Sequence, residues 1–131
     1  MVSQTRQAPH LSHAAVILAF LAGCGQEVPP AVDVGDASRQ LDSVLKAWKD
    51  GQPHASLAAG NPPVIFTEPL WEGGTKLLSY DLGKVELNGR QGRCTAKLSL
   101  QGKDGKQYER SIGYQIDTVP RVVIVREGLG I

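Results

Sequence analysis

Apolar and polar residues alternate most regularly in the second half of the chain. Leu78, Tyr80 and Leu82 share one face, and Gly83 reads as a bulge that carries the pattern on to Val85 and Leu87. Asn88-Gly89 is a hairpin signal. Beyond it Cys94, Ala96, Leu98 and Leu100 point one way while Arg93, Thr95, Lys97 and Ser99 point the other. Gly102-Lys103-Asp104-Gly105 closes a second hairpin, after which Tyr108, Ile112, Tyr114 and Ile116 alternate with Glu109, Ser111, Gly113 and Gln115. Arg110 interrupts the apolar row. Val119-Pro120 breaks the ladder, and Val122 to Val125, apolar on both faces, predicts a last strand that is central or covered.

The first half has helical spacing instead. Ala37, Leu41, Val44, Leu45 and Trp48 form one stripe, with Asp36 as the expected N-cap, Lys46 and Lys49 in the last turns and Gly51 just beyond. Pro53 to Ala59 predicts a short second helix, ended by Gly60-Asn61-Pro62-Pro63. Val64 to Thr67 is β-rich, and Glu68 to Gly74 is read as a turn. The order predicts an α+β domain in which one long N-terminal helix and a short second one pack on an antiparallel meander of four to five strands.

Ahead of this domain, Ala14 to Leu21 is an uninterrupted apolar run, as long as a signal-peptide core and far short of the ~20 residues that span a bilayer. Arg6, His10 and His13 precede it without an acid. The run ends in Leu21-Ala22-Gly23-Cys24, which resembles the lipobox of bacterial lipoproteins at all four positions. The resemblance implies lipidation of the Cys24 thiol, cleavage before it and acylation of the new amino terminus, since stable anchoring takes more than one acyl chain. Residues 1–23 are then a lipoprotein signal peptide, 24–35 the lipidated cysteine with a Pro29-Pro30 tether, and 36–131 a single domain. The implied location is the bacterial cell envelope, with the protein exported and held at a membrane.

Charge excludes one class of partner. The chain has 14 basic and 13 acidic residues, and loss of Arg6 with the leader brings them into balance, so no electrostatic case exists for nucleic acid. Lys76 to Arg110 holds eight basic residues against four acids, a surface for an anionic partner or the solvated faces of strands. With Cys24 committed to lipid, Cys94 stands alone and no internal disulfide forms. His54 is the lone histidine beyond the leader, reads as exposed, and supports no metal site. No cofactor is implied. Gly73-Gly74-Thr75-Lys76 lacks the spacing of a phosphate loop.

A helix followed by a meander resembles the cystatin-like and nuclear-transport-factor-two-like superfamily. Ala47-Trp48-Lys49, Asn61-Pro62-Pro63, Trp71, Gly74, Lys76-Leu77, Tyr80, Gly105, Tyr114 and Val123 to Arg126 also look like a group of small bacterial secreted or lipid-anchored proteins. Catalytic relatives hold Asp, His or Tyr in a cone of curved sheet and helices, whereas this chain offers one substantial helix and no strand histidine. Cystatin-type inhibitors use a Gln-x-Val-x-Gly hairpin and a Pro-Trp loop; Lys84 to Gly89 has neither. The expectation is therefore a non-enzymatic binding or assembly module with no catalytic residue, in which Trp71, Tyr80 and Tyr114 are the candidate binding residues. Two alternatives stand beside it. One is a small-molecule-binding or isomerase/dehydratase-type domain pairing Tyr80 and Tyr114 with a carboxylate, for which Asp81 and Asp117 are candidates. The other is a purely structural lipoprotein.

Overall fold

A computed structural model describes residues 30–128. The leader and Cys24 lie outside the described residues. One main helix, α1 (Val34–Lys49), is followed by a 3-10 turn (His54–Leu57), strand β1 (Val64–Thr67) and a single-turn helix α2 (Pro69–Glu72). Strands β2 (Lys76–Leu82), β3 (Glu86–Asn88), β4 (Gln91–Gln101), β5 (Gln107–Asp117) and β6 (Val122–Arg126) complete a mixed sheet of order β1-β6-β5-β4-β2, with β3 also on β4.

α1 begins three residues earlier than the apolar stripe alone predicts. Asp33, not Asp36, is the N-cap, and its Oδ1 accepts from Asp36 N at 2.8 Å. That satisfies one of the donors a helix start leaves unpaired, and it brings Asp36 into the first turn, where a negative charge suits the helix dipole. The chain is already packed before α1: Val32 is buried and its N–H donates to Arg90 O at 2.9 Å, within the stretch read as tether. The stripe itself is as expected, with Ala37, Leu41, Val44, Leu45 and Trp48 buried.

The expected second helix is only the 3-10 turn, which has no side-chain cap at its start and stops short of the Gly60-Asn61-Pro62-Pro63 run. The expected turn at Glu68 to Gly74 contains α2 instead, with Glu68 as N-cap and Pro69 in its favoured first position.

The sheet is not wholly antiparallel. β2, β4, β5 and β6 form the expected meander, but β1 joins its far side parallel to β6, in the register Val64↔Val122 to Thr67↔Val125. Strand alternation reports which face a residue takes and nothing about a partner far along the chain, so this pairing had no local signal. β6 is thereby an interior strand, the central position its apolar run predicts, although its outer face stays partly open at Val123 and Val125.

A second correction concerns β2. Its register on β4 shifts between Leu77 and Ser79, so Leu77 is buried, Leu78 is exposed, and Tyr80 and Leu82 return to the core side. This irregularity comes in addition to the one expected at Gly83, where the register on β4 passes from Leu82↔Ala96 to Glu86↔Arg93 with one extra residue and Val85 turns inward. Between α1 and the sheet, Leu41, Val44, Leu45, Leu98, Leu100 and Ile116 are each at most 1% exposed and fill the space. Truncating any of these leucines to alanine is worth about 2–5 kcal/mol.

Candidate functional site

Period two explains the most distinctive group. Val64 and Phe66 take the inner face of β1, so the next inner position is Glu68; Val122 and Ile124 place Arg126 there on β6; Ile112 and Ile116 place Tyr114 there on β5. The parallel β1–β6 register continues to bring Glu68 beside Arg126, and Arg126 lies directly opposite Tyr114. Three polar side chains therefore share one rung of the sheet.

Glu68 is fully buried. Its Oε1 accepts from the Tyr114 hydroxyl at 2.6 Å, and its Oε2 accepts from Arg126 Nη1 at 3.2 Å and from Leu70 N at 3.0 Å. A buried carboxylate is tolerable only with such donors and a counter-charge. Tyr114 is itself fully buried, and desolvation, reinforced by the neighbouring Glu68 charge, pushes its hydroxyl far above the usual phenol range; Arg126 acts in the opposite direction.

Aromatic rings cover this rung. Phe66 lies 5.5 Å from Tyr114 and 6.0 Å from Trp71, which stacks on Trp48 at 5.6 Å with planes 8° apart. Both indoles are anchored through nitrogen: Trp48 Nε1 donates to Thr75 O at 2.9 Å and Trp71 Nε1 to Gln52 O at 3.1 Å.

His54 is half-buried rather than exposed, edge-on to Trp71 at 5.2 Å. Its Nε2 bonds Phe66 O, and because a carbonyl only accepts, that nitrogen carries the proton. Glu72 Oε2 is 4.0 Å from the same nitrogen and also accepts from Glu68 N at 3.2 Å. Above these groups a surface cleft of about 330 Å³ is lined by residues that include Trp48, His54, Trp71, Glu72 and Lys76.

The sequence candidates are thus dispersed. Trp71 forms the floor of that cleft. Tyr114 lies beneath the aromatic layer with its hydroxyl committed to Glu68. Tyr80 is elsewhere, on β2, donating to Asp42 Oδ1 on α1 at 2.8 Å; partial burial, then the Asp42 hydrogen bond and charge, push it up to about 12. Asp81 is exposed, and Asp117 accepts from Gln91 Nε2 at 2.7 Å. Cys94 is buried next to Tyr114 on the same rung, and burial pushes its thiol up. Among the described residues no group of three metal-ligating side chains converges.

Glu68 and Arg126 were missed as functional candidates although the signal was present, a charged residue at an inner-face position of an apolar strand. Chemically, the cleft offers an aromatic floor with one cation and one carboxylate at its rim. The buried rung offers a proton donor and a carboxylate, both already satisfied by each other. Comparison with protein-family models, with curated proteins and with solved structures finds no match to this chain.

Proposed function

We propose that the chain is an exported protein of the bacterial cell envelope, anchored by lipid on Cys24, whose domain is a non-enzymatic binding or assembly module of cystatin-like shape. The observation that carries the non-enzymatic reading is the sealed Tyr114–Glu68 contact. The groups best suited to acid-base work spend their hydrogen bonds on joining β1, β6 and β5, under a layer of aromatic rings. The full space between α1 and the sheet supports the same reading, because a pocket there would need some of Leu41, Leu45 or Leu98 to be absent. The anchor is supported by Leu21-Ala22-Gly23-Cys24 at the end of an apolar leader. The cystatin-like shape is supported by one main helix laid on the β2-β4-β5-β6 meander, with β1 as an addition at its far edge.

The test has two parts. Intact-mass measurement of membrane-extracted protein gives a mature chain beginning at Cys24 with acyl groups attached, and both features vanish in Cys24→Ser. An unmodified chain free in the medium would refute the anchor. Crosslinking in intact envelopes from a photoreactive group at Lys76, on the rim of the cleft, yields a discrete adduct; no adduct there and an unchanged pattern on Trp71→Ala would refute the cleft as the binding surface.

A second reading, a small-molecule-binding or isomerase-type domain, is favoured by one observation: a tyrosine hydroxyl does meet a carboxylate, at Tyr114 and Glu68. It requires the aromatic layer to open. Tyr114 hydroxyl exchange with solvent faster than global unfolding is the measurement that would favour it over the first reading.

A further inference from the structure

Two exposed apolar residues and the start of the described chain occupy the same end of the domain. Leu87 is 53% exposed in β3 and pairs with Gly92 on β4; Val119 is 67% exposed in the β5–β6 connection. Val32 donates its N–H to Arg90 O in the β3–β4 turn, and Pro30, Val32, Arg90, Thr118 and Val119 line one small surface cavity. The two tips, the two arginines beside them in sequence (Arg90 and Arg121) and the entering chain are therefore neighbours.

The acids of this end each have a polar neighbour, although Asp33 and Glu86 remain exposed. Asp33 caps α1, Asp36 lies 3.5 Å from Arg39, Asp117 holds Gln91, and Glu86 faces Arg93 across the strand pair. Arg90 and Arg121 are exposed and belong to no ion pair among the described residues. Beside these partnered acids, this end presents to solvent two apolar tips with those guanidinium groups near them, a combination that suits the headgroup boundary of a bilayer.

Chain length makes the bilayer the occupant. Cys24 and Pro30 are six positions apart, which even a fully extended chain spans in only about 20 Å. Val32 is fixed in the domain, so lipid on Cys24 keeps this end close to the bilayer surface. The opposite end, the β4–β5 turn at Gly102 to Lys106, is separated from it by the 11 residues of β4, a strand about 35 Å long. We propose that the domain rests on the membrane with Leu87 and Val119 dipped into the headgroup region and Arg90 and Arg121 on lipid phosphates, an orientation that rests on the lipid reading of Cys24.

The experiment uses the mature, lipidated protein, beginning at Cys24, reconstituted in vesicles of phosphatidylethanolamine and phosphatidylglycerol. A polarity-sensitive fluorophore is placed on Leu87→Cys, Val119→Cys or, at the far end, Lys106→Cys, each in a Cys94→Ala background whose fold is checked by circular dichroism. The expected result is blue-shifted emission at 87 and 119 that loses most of its intensity to a shallow spin-labelled lipid, with neither change at 106. Equal behaviour at all three positions in protein that still floats with the vesicles overturns the docked orientation and leaves the anchor standing. Protein that fails to float overturns the anchor, and the orientation with it.

Discussion

Tyr114 and Glu68, 46 residues apart in the chain, meet in a 2.6 Å hydrogen bond on one rung of the sheet. Removing one partner leaves the other buried without it. Tyr114→Phe should therefore cost about 1–3 kcal/mol. Glu68→Ala, which strands Arg126 and removes the cap of α2, should cost about 3–5 kcal/mol. A double-mutant cycle with Tyr114→Phe and Glu68→Gln, read by urea unfolding, should show a coupling of at least about 0.5 kcal/mol. Strict additivity would mean that the contact does not form.

The Tyr80–Asp42 bond predicts an alkaline limb of instability. Tyr80 is raised to about 12 from 10.0 in the folded state, so it holds its proton more tightly there than in the unfolded chain. Its contribution is complete below the unfolded value and is lost as pH rises from about 10 towards 12. Tyr80→Phe should flatten the fall in stability across that window. The ultraviolet tyrosinate spectrum should meanwhile show Tyr114 un-ionised until the protein unfolds. An unchanged alkaline slope in the variant would contradict the bond.

Gly92 and Gly113 should respond differently to alanine. A Cβ on Gly92 would sit 3.2 Å from both Ala37 Cβ and Val85 Cγ1, where α1 begins its passage over β4. Gly92→Ala should destabilise by about 1–3 kcal/mol. A Cβ on Gly113 would collide with the Glu127 carboxylate, which crosses β5 there to meet Arg93 at 2.7 Å and 3.0 Å. Glu127 can swing away, and its partner is largely exposed, so Gly113→Ala should change stability much less than Gly92→Ala. The signature is instead electrostatic: Arg93 holds the Glu127 carboxyl below its usual range, and the alanine should release it upward in an NMR titration.

Cys94 should behave as a core residue. It is 1% exposed, with a thiol raised by burial and bonded to Gly83 O at 3.3 Å. In a Cys24→Ser background it should react with a thiol reagent only at the rate of unfolding. Prompt stoichiometric labelling of native protein would show that rung to be open.

These residues also show what local pattern carries. Period two located Cys94, Ala96, Leu98, Leu100 and Tyr114 on the inner face, and helical spacing located Leu41, Leu45 and Trp48, because face and stripe are properties of consecutive residues. The β1–β6 pairing, the Glu68–Arg126 contact and the capture of His54 by Phe66 O each join segments that are distant or separated by loops, and no local rule records them. Glu68 and Arg126 lay between the two cases. Their faces were legible and their partnership was not, since it depends on a parallel register set by the rest of the sheet. The Leu77/Ser79 shift was hidden by a run, Leu77-Leu78, that suits either face.

The parallel closure of β1 on β6 has an order of events built into it. A ribosome makes Glu68 46 residues before Tyr114 and 58 before Arg126, so through that stretch of synthesis the carboxylate has neither its donor nor its counter-ion. The edge strand can seat only after the final strand emerges, and until then the nascent polypeptide keeps an unfinished, water-accessible seam. Such late sealing leaves completion of the sheet to the last strand delivered, so the domain gains its closed edge only as the chain nears its end.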